Sequence, residues 1–91
     1  MLHLRVNDFE SVFDVGDAQV NQPLKLQFHL PEVFKSAKGT CGCTTTSISN
    51  DTLDVVFMAK PHERNQVVRK TIKLYRPDGG EEKIQFNATV V

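Results

Sequence analysis

Strict alternation of apolar and polar residues most constrains this chain, and Leu24-Lys25-Leu26-Gln27-Phe28-His29-Leu30 carries it most cleanly. Successive strand side chains point to opposite faces, so this segment reads as a strand with one face in a core and one in water. Leu2-His3-Leu4-Arg5-Val6 and Ile84-Gln85-Phe86-Asn87-Ala88-Thr89-Val90 repeat the pattern near either end. Leu53, Val55 and Phe57 share a parity within Thr52 to Met58, as do Val68, Ile72 and Leu74 within Val67 to Tyr75. Ser11 to Val15 and Thr44 to Ser49 alternate poorly, but their β-branched residues favour extended backbone.

Turn chemistry falls between these runs, at Gly16-Asp17, Asn50-Asp51, Lys60-Pro61-His62-Glu63-Arg64-Asn65 and Pro77-Asp78-Gly79-Gly80. The last cluster is the strongest hairpin signal, because glycine tolerates the positive φ of a tight reversal. No segment sustains a 3.6-residue apolar period. Pro31 to Lys38 has proline placed to open one helical turn and reads as a strand end or short turn. About seven short strands without helices predict an all-β, immunoglobulin-like antiparallel β-sandwich, with a small closed barrel as the alternative.

At 91 residues the chain is expected to be one domain, 1–91, with residues 1–8 as an extra edge strand or arm. Leu, Ile, Val and Phe make up about 30% of it, enough to build a core. A chain of this size nevertheless buries only about 60–65% of its unfolded surface, which favours a partner. Eleven Lys and Arg balance eleven Asp and Glu, and no basic run exceeds Arg69-Lys70, so the electrostatic footprint of nucleic-acid binding is missing. The N-terminal segment lacks the basic start and apolar stretch of a signal peptide, and no apolar run approaches a membrane span. The expectation is a soluble protein with no membrane and no nucleic-acid partner.

Cys41 and Cys43 are the only cysteines. Three readings stand. As strand residues two apart they share a face as small buried hydrophobes, which is the leading reading. As a disulfide they close a very small ring, with Gly42 taking up the strain, and make a redox-labile pair. As half of a metal site they need further ligands, and His3, His29 and His62 are not at zinc-finger spacing. No cysteine, histidine or paired-carboxylate arrangement supplies a nucleophile with its base, so no enzyme, no cofactor and no small-molecule substrate is expected. Tyr75 and Arg76, beside the hairpin, are candidate partner contacts, since both residue types are enriched at binding hot spots. Phe34 is a third, as either an exposed anchor or a plug at the sandwich end.

With its flanks, Cys41-Gly42-Cys43-Thr44 resembles the signature of the bacterial domain-of-unknown-function family numbered fifteen seventy-three. That family is immunoglobulin-like and related to major sperm protein and to the abnormal-spindle and hydin domains. Phe13-Asp14-Val15-Gly16 is similar to the family's opening, and the closing strand ends on Ala88-Thr89-Val90-Val91. The chain departs from the pattern at Leu30-Pro31-Glu32-Val33-Phe34 and at Ser49-Asn50-Asp51. The resemblance implies a fold and no activity. The expected function is a non-catalytic structural and interaction module, a small subunit of a homo- or hetero-oligomeric assembly. By analogy its setting is a bacteriophage particle, as capsid decoration or a neck or tail accessory protein, located in the virion or host cytoplasm. The alternative is a bacterial envelope domain in the periplasm, with Cys41 and Cys43 as a redox or metal site.

Overall fold

The computed structural model describes residues 1–91 and is an all-β sandwich of two four-stranded sheets. The strands are β1 (Leu2–Arg5), β2 (Val12–Ala18), β3 (Pro23–His29), β4 (Ser36–Gly39), β5 (Thr44–Ser49), β6 (Thr52–Met58), β7 (Val67–Tyr75) and β8 (Glu81–Val90). One sheet has the order β1-β3-β6-β5 and the other β2-β8-β7-β4. A single turn of 3-10 helix, Pro61–Glu63, lies between β6 and β7. Two separate sheets replace the closed-barrel alternative.

Alternation sets which residues meet. Leu26 and Phe28 of β3 and Leu53, Val55 and Phe57 of β6 face Ile72 and Leu74 of β7 and Ile84, Phe86, Ala88 and Val90 of β8, all essentially inaccessible to water. Burying each large member stabilises the fold by roughly 1.5–3 kcal/mol. Phe57 and Phe86 meet edge to face across the two sheets with ring centroids 5.8 Å apart, and Phe13 meets Phe28 similarly at 5.5 Å.

The expected hairpin joins β7 and β8. Gly79 has φ +96°, Arg76 N–H donates to Gly80 O at 2.7 Å, and Gly80 N–H donates to the Asp78 carboxylate at 2.9 Å. Asn50 supplies the positive φ of the β5–β6 turn.

Three sequence expectations are corrected. The sheets are mixed: β1 pairs parallel with β3 and β2 parallel with β8. The chain crosses to the second sheet for β2 before it returns for β3, so β1 and β3 run the same way, whereas alternation reports facing and not direction. There are eight strands and not about seven, since the segment expected as a strand end or short turn contains β4. Ser36-Ala37-Lys38-Gly39 has one apolar side chain and is strand only through its pairing with Lys73, Leu74 and their neighbours in β7. Gly16-Asp17 is no turn but a β-bulge within β2, where the register against β8 slips between Asp14 and Asp17 and Gly16 has φ +85°.

The sandwich is closed along one side and open along the other. Between β4 and β5 the Thr46 hydroxyl donates to Ala37 O at 3.0 Å, bridging the sheets. Opposite them, β1 and β2 each have only one neighbour.

Replacing Phe86 by alanine removes the ring that spans both sheets and is expected to lower stability by about 3–5 kcal/mol. Urea denaturation followed by circular dichroism measures this, with a much smaller loss for a surface change such as Lys83→Ala.

Candidate functional site

Residues that sequence alone left apart are brought together beside the cysteines. Cys41 and Cys43 form a disulfide in the turn between β4 and β5. The leading expectation, two free thiols sharing a strand face, is therefore replaced. Strand residues two apart sit roughly 6.6 Å from Cα to Cα, but here the chain turns and brings the pair to 5.4 Å, within bridging range. Thr44 N–H donates to Cys41 O at 3.2 Å to hold the turn. Gly42 has no positive φ, and a Cβ there would meet nothing within 4 Å.

Cys43 is buried and Cys41 half-buried. Cys43 O accepts from Met58 N–H at 2.9 Å, which ties the cysteine turn to the end of β6. The segment leaving β6 is thereby laid alongside, and Cys41, Cys43, Lys60, His62, Glu63 and Lys70 line one pocket of about 150 Å³.

Glu63 organises this pocket. It is the only buried charged residue, 7% exposed. One carboxylate oxygen accepts from the Lys60 backbone N–H at 3.0 Å, and the other takes Lys70 Nζ at 3.1 Å. The Lys60 N–H bond holds its pKa below the ordinary 4.5; burial opposes this, and the Lys70 ammonium and His62 add to it. Lys70 Nζ in turn lies 5.6 Å from the Phe57 ring centroid, so the ion pair rests on the core. The sequence offered Lys60 to Asn65 only as a polar loop; the one signal available was a carboxylate three residues after the segment's first N–H, with proline between.

The other candidate residues lie elsewhere, around the β7–β8 hairpin. Phe34 is a plug and not an exposed anchor: it is 3% exposed, meets Phe9 edge to face at 5.6 Å, and has the Arg76 guanidinium 5.5 Å from its centroid. Burial removes it as a partner contact. Arg76 Nε donates to Glu32 Oε1 at 2.6 Å and Nη1 to Glu82 Oε1 at 3.2 Å, and these carboxylates, Glu32 foremost, raise its pKa. Tyr75 is half-buried at the end of β7, where its carbonyl accepts from Lys35 N–H at 2.8 Å. His3 and His29 stack on the outer face of β1 and β3 with centroids 5.7 Å apart, and His62 lies in the cysteine pocket. No family model, curated protein or solved structure matches the chain.

Because folding lowers the Glu63 pKa, its contribution is fully present above pH 4.5 and is lost as pH falls through the lower folded-state value. Glu63→Gln is expected to cost about 1–2 kcal/mol at neutral pH, after allowance for solvent screening. In denaturant melts of both proteins the difference should shrink progressively below pH 4.5.

Proposed function

We propose that this chain is a non-catalytic structural module that assembles with copies of itself edge to edge, β1 of one copy against β2 of the next. The observation that carries the reading is the opposite charge of the two free edges on the open side. Residues 1–7 include His3 and Arg5 and no acid; residues 8–18 include Asp8, Glu10, Asp14 and Asp17 and no base. Each edge keeps a row of unpaired backbone donors and acceptors, able to take up a further strand. Leu2 and Val12 are exposed beside them and add apolar area to cover.

Charge also decides which pairing is allowed. Two β2 edges would bring Asp14 and Asp17 against their own copies, and two β1 edges would do the same with Arg5, so like edges repel. Only β1 against β2 remains. Because both edges lie on the open side, two copies can face each other so that β1 of each meets β2 of the other, an isologous contact that closes as a dimer. A four-residue β1 makes each contact weak, so strength comes from the two β1–β2 contacts of a pair acting together. An accessory subunit of a bacteriophage particle is the setting we assign, by analogy with free-standing domains of this architecture.

Truncating the arm is not the right test, because Val6 is buried in the core and its loss would loosen the fold. Charge reversal leaves the core untouched. Light scattering behind size exclusion is expected to show association that weakens with salt. Asp14→Lys with Asp17→Lys should weaken it about tenfold, given roughly 0.2–1 kcal/mol per exposed pair. Mixing that variant with Arg5→Glu copies should restore it. A protein that stays monomeric at low salt and high concentration refutes the reading.

A further inference from the structure

We propose that the Cys41–Cys43 disulfide is a thiol–disulfide exchange site for small anionic thiols, selected by the cationic pocket beside it. The site is independent of the β1 and β2 edges. Three cationic or titratable groups line the pocket, Lys60, Lys70 and His62, against one carboxylate, Glu63. Glu63 is already held by Lys70 Nζ and the Lys60 backbone N–H. The Lys60 side chain and His62 form no ion pair, so the pocket keeps net positive charge next to the sulfurs. Positive neighbours attract an incoming thiolate and stabilise the thiolate that leaves.

The local hydrogen bonds act in the same sense. Cys43 N–H donates to Cys41 Sγ at 3.2 Å, and the Thr44 hydroxyl lies 3.7 Å from Cys43 Sγ. Both favour negative charge on sulfur. Cys41 is the more accessible of the two and receives the attack. A thiolate RS⁻ forms a bond to Cys41 Sγ, the Cys41–Cys43 bond breaks, and its electron pair leaves on Cys43 Sγ. A second RS⁻ then attacks the sulfur of the R group in the mixed disulfide, and that electron pair returns to Cys41. Two thiols are oxidised to RSSR, the protein disulfide is reduced to a dithiol, and the two protons shed by the thiols end on Cys41 and Cys43.

The pocket admits little more than the sulfur end of a reagent, so selection acts on charge at its mouth. The test is reduction of the native protein by glutathione, which is anionic, and by cysteamine, which is cationic, followed by mass spectrometry of alkylated thiols. Glutathione is expected to reduce the folded protein, and Lys60→Gln combined with His62→Gln should slow it about tenfold while leaving cysteamine unchanged or faster. Lys60→Arg keeps the charge and should keep the rate. Circular dichroism confirms that each variant is folded, and Cys43→Ser given glutathione disulfide should hold a mixed disulfide on Cys41, with one reduced glutathione released, because no second thiol resolves it. Free thiols in the protein as isolated from a non-reducing preparation, reduction only after unfolding, or equal slowing with both reagents would each overturn the proposal.

Discussion

The structure depends on one constraint: the inward faces of β3, β6, β7 and β8 are dry through the middle of the sandwich, so no strand there can slip by one residue. A slip would turn Phe57 or Phe86 outward and bring Val56 or Gln85 into the core. With the register fixed, the outward residues are fixed as well. Gln27 then lies opposite Asp54 and donates to it at 2.9 Å, and Arg69 lies opposite Asn87 at 3.0 Å. These outer-face contacts follow from the core and do not set it.

This is why the fold was legible where burial is symmetric along a strand and not where it is inherited from a neighbour. Leu24 to Leu30 announces its own two faces. Ser36-Ala37-Lys38-Gly39 announces nothing, and becomes a strand because Lys38 and Gly39 find Lys73 and Ile72 across a ladder. Strand direction escaped for a related reason. The pleat of Leu2 to Arg5 reads identically whether it runs with β3 or against it, and only the excursion through β2 decides.

The cysteine site was legible as a motif and illegible as a place. Cys41-Gly42-Cys43 gave the residue types, but the turn that bridges them depends on Cys43 meeting Met58 at the far end of another strand. Glu63 was hidden more deeply, since a glutamate in a polar loop is ordinarily solvated. It is buried because Lys60 offers a backbone N–H and Lys70 reaches across from β7, so its two oxygens are satisfied before water is excluded. Such a site is assembled by topology: the local Lys60 to Glu63 pattern encodes one of its two bonds, and the reach of Lys70 from β7 supplies the other.

The placement of the disulfide separates the two proposed roles. Cys41 and Cys43 span the turn between β4 and β5, the strands that close one side of the sandwich, whereas the charged free edges lie on the other. A change of state at the sulfurs therefore acts first on the closing turn and on Thr44, whose Cβ already lies 3.0 Å from the position a side chain on Gly39 would take. Loosening that turn leaves β1 and β2 anchored by Val6, Val15 and Ala18 in the core. The proposed exchange chemistry and the proposed edge assembly thus draw on one core without sharing a surface.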